Sequence, residues 1–275
     1  MDVVRSKDGT RIAYERRGSG PVVILVGGGL DDGSENEPLA AELARHFTTY
    51  NYARRGRGES GDTAPYALQR EIEDIDALIG EAGRSSRLFG ASSGGALALE
   101  AAASGLAVDS VAVYEVPYMA DDAMVRHWAE YVDQLTVLLA DGRHADAVEL
   151  FMRLAGSSEE DVSGARSSSF WPGLEVLAPT LAYDAACLGD GQPPVGRLAR
   201  ITQPVLVATG GGPDPHLEGL RPSFFDEAAD TIAAALPNAE RRTIDGETHV
   251  ADPQSFAAVL EHFFTSSGDF RQVSL

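Results

Sequence analysis

The sequence predicts an α/β fold: a mostly parallel sheet with helices on both faces and a helical insert before the last strands. Three observations carry that expectation. Residues 22–26 and 205–208 are short, uninterrupted apolar runs, as suits strands buried on both faces. Such runs alternate with stretches of helical periodicity, which implies crossover connections and parallel pairing. Residues 117–200 break the alternation and read as helices alone.

The elements follow in order. Residues 3–5 and 11–16 flank the turn Lys7-Asp8-Gly9 and read as a small hairpin. The buried strand at 22–26 is followed by three glycines. A helix over 38–46 precedes a strand at 48–53. Residues 67–79 carry helical spacing through Ile72, Ile75, Leu78 and Ile79. A strand at 87–89 enters a glycine-flanked turn, residues 93–104 read as helix, and 110–114 as strand. In the insert, Met124, Trp128, Tyr131, Val132, Leu135, Leu138 and Leu139 mark one helix face, which Asp121 or Asp122 can cap. Val148, Phe151 and Met152 mark a second helix that Gly156 can end, and 171–188 suggests a third. After the strand at 205–208 come a helix over 226–236, a strand at 241–244 and a closing helix over 253–264.

Composition narrows the function. The 275 residues carry a formal net charge of −20, which argues against nucleic acid and anionic membranes as partners and weakly against polyanionic substrates. An acidic, solvated surface that aids solubility accounts for that charge. Cys187 is the only cysteine, so no intrachain disulfide can form. With no activating motif around it, it reads as a buried structural thiol. The N-terminus lacks an apolar signal-peptide core, and no stretch approaches the roughly 18 apolar residues of a membrane span. The expectation is a soluble, cytoplasmic protein. No HExxH, CxxC or EF-hand pattern appears, so no metal is expected. Nothing in the sequence sets an oligomeric state.

In sheets of this kind, sites gather beyond the carboxyl ends of the strands. Gly90-Ala91-Ser92-Ser93-Gly94 fits G-x-S-x-G between a strand and a helix, where a sharp turn projects a serine hydroxyl out of the fold. A serine needs a base. Of six histidines, His249 follows a late strand in Asp245-Gly246-Glu247-Thr248-His249 and can reach back over the sheet edge. Three readings of the acid stay open. Asp214, after the strand at 205–208, gives the order Ser…Asp…His and is the first candidate. Glu115, ending the strand at 110–114, is the alternative; another carboxylate such as Asp184 is the third. Gly27-Gly28-Gly29 lacks the lysine of a phosphate loop. It reads as an oxyanion loop in which the Gly29 and Ser93 amides, beside Gly28, face a developing negative charge. Arg54-Arg55-Gly56-Arg57 is either an anion site or a structural loop paired with nearby acids.

Together these residues resemble the α/β-hydrolase family along essentially the whole chain. The Ser92 elbow, the loop Arg55-Gly56-Arg57-Gly58-Glu59-Ser60, the turn Tyr114-Glu115-Val116-Pro117 and Gly-x-x-His at 246–249 occur in that family's order. The likeness is to capped, actinobacterial-type members. It implies an eight-stranded, mostly parallel sheet with a helical cap, and a serine–histidine–acid triad without cofactor. The core would comprise residues 1–116 and 201–275, the cap 117–200. Two departures stand out. The family commonly has His-Gly where this chain has Gly27-Gly28, and that histidine usually supports the oxyanion loop. The Gly210-Gly211-Gly212-Pro213-Asp214-Pro215 run looks like an insertion, which keeps Glu115 in contention. The serine speaks against the dehalogenases and epoxide hydrolases of this fold, which use aspartate there.

The expected activity is hydrolysis of an ester, thioester or lactone of a small to medium apolar molecule. Trp128, Tyr131, Phe170 and Trp171 are expected to wall its pocket. A lyase or cyclase of the same fold is the alternative, and a catalytically inactive ligand-binding homologue a further one.

Overall fold

A computed structural model describes residues 1–83 and 85–269. Eight strands form one sheet in the order β1-β2-β4-β3-β5-β6-β7-β8. The hairpin β1 (Asp2–Arg5) and β2 (Arg11–Gly18) pairs antiparallel, and β2 runs antiparallel to β4 (Thr48–Tyr52). From there β3 (Val22–Val26), β5 (Ser86–Ala91), β6 (Val108–Tyr114), β7 (Val205–Gly210) and β8 (Ala239–Ile244) are all parallel.

The unbroken apolar runs have a simple origin. Side chains alternate along a strand, and both faces here are covered. Val22, Ile24 and Val26 of β3 face one hydrophobic cluster, with Ile75 of α2 (Leu68–Ala82), Leu97 of α3 (Ser93–Ala103) and Ile232 of α10 (Phe224–Ala235). Val23 and Leu25 face the other, with Leu39 and Leu43 of α1 (Glu37–Leu43) and Phe256, Leu260 and Phe264 of α11 (Pro253–Asp269). Strand β7 divides the same way, Val205 and Val207 against Leu206 and Ala208. Helix α2 stops where Gly83 takes a left-handed turn at φ 68°, which costs glycine little.

Between β6 and β7 the chain is helical. Helix α4 (Asp122–Ala140) is capped by the Asp121 carboxylate, which accepts from Met124 N–H. Helix α5 (His144–Leu154) gives way to Gly156 at φ 93°. The sequence reading missed α6 (Glu159–Arg166), whose Ser158/Asp161 capping box is legible in hindsight. Then follow α7 (Trp171–Leu177), α8 (Leu181–Leu188) and the short α9 (Val195–Leu198). Helix α8 packs on α3, so the insert bears directly on the turn that carries Ser92. No helix among the described residues is long and apolar enough to cross a membrane.

Candidate active site

Ser92 joins β5 to α3 with φ 53° and ψ −129°, a conformation an L-residue holds only under constraint. The constraint is close packing of backbone. A Cβ on Gly94 would stand 2.3 Å from the Val26 carbonyl oxygen, and one on Gly90 would stand 2.4 Å from that of Gly94. Both flanking glycines of the motif are therefore required by space. Ser92 N–H donates to Tyr114 O at 2.9 Å, which ties the turn to the end of β6. Among the described residues only Leu30, Ser92 and Glu115 combine a side chain with positive φ, and they follow β3, β5 and β6. Strain of this kind, on the order of 1–3 kcal/mol each, persists where surrounding structure enforces it.

The acid beside His249 is not the first candidate. His249 Nδ1 lies 2.7 Å from Glu115 Oε2, while Asp214 Oδ2 accepts only the His249 backbone N–H, at 3.2 Å. Asp214 caps a 3-10 turn instead, its Oδ1 accepting from His216 N–H. The reason lies in the glycine run. Gly211 N–H donates to Ile244 O and Gly212 N–H to Glu247 O, so the loop after β7 is stitched along the loop after β8, and Asp214 passes the ring by. Glu115 sits immediately beyond β6 and reaches across β7. Its Oε1 accepts Gly210 N–H at 2.8 Å. Gly210 makes room for the crossing, since a Cβ there would meet Glu247 O at 2.4 Å and the Tyr114 hydroxyl at 2.6 Å. Tyr114 Oη also donates to Thr248 O, and Phe225 of α10 stacks on the imidazole at 5.1 Å. With a carboxylate on Nδ1, the proton is assigned to that nitrogen, and Nε2 keeps its lone pair. No hydrogen bond joins Ser92 Oγ to His249 among the described residues, but both line one cavity. Such contacts often tighten only when substrate binds.

Gly28 abuts the serine: a Cβ on it would lie 3.2 Å from Ser92 Cβ. Ser93 N–H belongs to the first turn of α3, whose amides have no partner within the helix. Buried arginines hold the glycine loop, which has Gly27-Gly28 in place of His-Gly. Arg57 Nη1 donates to Gly28 O and Arg54 Nη1 to Gly27 O, orienting the peptide units of the loop. The arginine cluster is thus structural and paired with acids. Arg54 forms a two-pronged bond to Glu71 and a third bond to Asp184; Arg55 meets Asp74 and Asp8; Arg57 meets Asp184. All three guanidinium groups are buried. Asp184, the third acid candidate, is held by arginines and does not touch His249. Burial opposes its ionisation, but Arg57 and Arg54 outweigh that and keep its carboxyl below the usual range. Cys187 is buried against the same cluster, and burial pushes its thiol up.

Residues 22–259 match the Alpha/beta hydrolase family. The chain belongs to that family. A crystal structure of an alpha/beta hydrolase from Sphaerobacter thermophilus DSM 20745 is 44% identical, with a TM-score of 0.85, over 96% of this chain and 100% of that one. The enol-lactonase from Burkholderia xenovorans LB400 shares the fold at 22% identity and a TM-score of 0.68, over 96% of this chain and 100% of that one. YraK of Bacillus subtilis (strain 168), an uncharacterized hydrolase, is 32% identical over 96 residues, which span 34% of this chain and 35% of that protein.

In this alpha/beta hydrolase the cavity over the strand ends has a volume of about 750 Å³. Ser92, His249, Gly28, Gly29 and Ser93 line it, as do Trp128 and Tyr131 of α4. Phe170 and Trp171 do not. Phe170 is 59% exposed, and Trp171 is buried in the packing of the insert with its indole N–H on Glu175. Their residue types suited a pocket wall, but the turn before α7 aims them elsewhere. Phe151 and Phe225 take those places. Phe151 stood on an apolar helix face in the sequence; Phe225 gave no signal beyond its neighbour Phe224.

Proposed function

We propose that the protein is a serine hydrolase that cleaves an ester, thioester or lactone of a small to medium, largely apolar molecule. The contact between His249 Nδ1 and Glu115, in the cavity that holds the Ser92 elbow, carries this reading. Ser92 is the nucleophile, His249 the base, and Glu115 the acid that fixes the imidazole tautomer. Gly28 and Gly29 form the oxyanion loop, and the Gly29 and Ser93 amides receive the charge.

The steps follow from those positions. As Ser92 Oγ bonds to the carbonyl carbon, its proton passes to His249 Nε2 and the carbonyl π electrons move to oxygen. Collapse of the tetrahedral species breaks the bond to the leaving alkoxide or thiolate, which takes the proton from Nε2. Water then attacks the acyl-enzyme with His249 again as base, releasing the acid and restoring Ser92. Each oxyanion donor contributes about 3 kcal/mol to such a barrier. Glu115 stabilises the imidazolium formed twice per cycle.

Residues 117–200 act as a cap over a core of 1–116 and 201–275, and Trp128, Tyr131 and Phe151 supply an apolar wall from it. A cavity near 750 Å³ suits a ligand of modest size. The test is labelling with a fluorophosphonate, together with turnover of short-chain aryl esters. Both are expected in the native protein, and both should vanish in Ser92→Ala. Turnover that survives the substitution contradicts the reading.

A further inference from the structure

Among the residues that line the cavity, Asp184 has a buried carboxylate oxygen with no hydrogen-bond partner among the described residues. Asp184 of α8 lines the cavity and is 5% exposed. Its Oδ1 accepts three bonds, from Arg54 Nη1 at 2.6 Å, Ser93 Oγ at 2.7 Å and Arg57 Nη2 at 2.8 Å. Its Oδ2 is buried and accepts none among the described residues. That oxygen lies over Gly29, where a built Cβ would stand 3.5 Å from it and 3.2 Å from Phe151 Cζ. A carboxylate can only accept, and a buried one left half-satisfied is unfavourable, so Oδ2 calls for a donor.

The charges nearby define the donor. Arg54, Arg57, Glu71 and Asp184 form one buried, hydrogen-bonded group in which two positive and two negative charges balance. Two arginines already sit on Asp184, and their positive charges repel an ammonium there, whereas a hydroxyl adds no charge. Its placement is set by Gly29, whose amide faces the reacting carbonyl oxygen if Ser92 is the nucleophile, a reading on which this step rests.

We propose that Asp184 Oδ2 determines specificity by accepting a hydrogen bond from a neutral hydroxyl on the carbon α or β to the scissile carbonyl. The substrate class is then a hydroxyacyl ester, thioester or lactone. A charge-assisted bond of this kind discriminates against an analogue lacking the hydroxyl, because the site's acceptor is left unpaired.

The test compares phenyl esters of butyric, 2-hydroxybutyric and 3-hydroxybutyric acids, with the methyl ethers of the two hydroxy acids, on the unaltered protein. One hydroxy ester should exceed the butyrate in kcat/KM by about tenfold or more, and its methyl ether should lose the gain. The matching anilides, titrated into Ser92→Ala, should show the same preference in Kd without turnover. In Asp184→Asn the amide nitrogen turned to the cavity is a donor, so the hydroxyl preference should fall towards unity. If that variant does not fold, the ligand series decides alone. Esters turned over within twofold of one another sink the Asp184 site and leave the hydrolase standing. No ester turnover, with anilides that still discriminate, sinks the Ser92 reading and leaves the site. Neither turnover nor binding sinks both.

Discussion

Glu115 Oε2 lies 2.7 Å from His249 Nδ1, although 134 positions separate the two residues and β7 runs between their strands. Adjacent strands are about 4.8 Å apart, so the contact spans roughly two spacings. A glutamate side chain, the positive φ of Glu115 and the bare backbone of Gly210 together close that gap.

The acid can be assigned by substitution. Glu115→Gln should lower kcat on an aryl ester by about 10³-fold or more, because the wrong tautomer is then favoured. Asp214→Asn keeps an oxygen for the His249 amide and should lower kcat by less than about tenfold. The opposite ranking in steady-state kinetics would return the acid's role to Asp214.

Gly210→Ala tests the crossing. Its methyl group meets Glu247 O and the Tyr114 hydroxyl, so the loop that bears His249 must shift. A displacement near 1 Å can lower rates by about 10². A fall in kcat of roughly that size is expected, with a circular dichroism spectrum like the native one. Unchanged kcat would mean that the loop yields freely.

Arg54→Met tests the buried cluster. It leaves Glu71 and part of Asp184 unpaired and releases Gly27 O. Breaking such a buried pair lowers stability by about 3–5 kcal/mol, to be read from urea unfolding. A loss under about 1 kcal/mol would show that solvent enters the cluster.

Asp184 contributes an acid-side loss of stability, opposite in sign to the contribution of Asp31, Glu35 and Asp74, whose carboxyls burial pushes up. The folded Asp184 carboxyl is held below the ordinary value by Arg57 and Arg54, against the opposing effect of burial. The stability it contributes is present in full above the unfolded value near 4 and is lost as pH falls through the lower folded value. Urea midpoints should hold steady with respect to this group above about pH 5 and decline below about pH 4. A shallower acid limb is expected in Asp184→Asn.

Much of this was legible in the sequence. All eight strands and the helices of the core stand where the residue pattern placed them; β3, β6 and β7 were legible because a sheet covered on both faces leaves short apolar runs, whereas the edge strands β1 and β8 carry no such run. The serine turn was legible through Gly90 and Gly94, which act locally. Glu115 was legible as one of the candidate partners of His249 but not its precedence over Asp214, which depends on one positive φ at Glu115 and on how two loops stitch together at Gly211 and Gly212. The role of Arg54 and Arg57 under the glycine loop was equally hidden. Their partners Glu71 and Asp184 come from distant parts of the chain. Phe170 and Trp171 show the limit of residue type as a guide: an aromatic suits a pocket, but backbone direction decides whether it reaches one.

A crystal structure of the protein inactivated by a methyl phosphonofluoridate tests the central claim most directly. Phosphorus should be bonded to Ser92 Oγ, with the phosphoryl oxygen within hydrogen-bond distance of the Gly29 and Ser93 amides and the His249 ring between the adduct and Glu115. An adduct on another residue, or a His249 ring bonded to the Asp214 carboxylate instead, would contradict that claim.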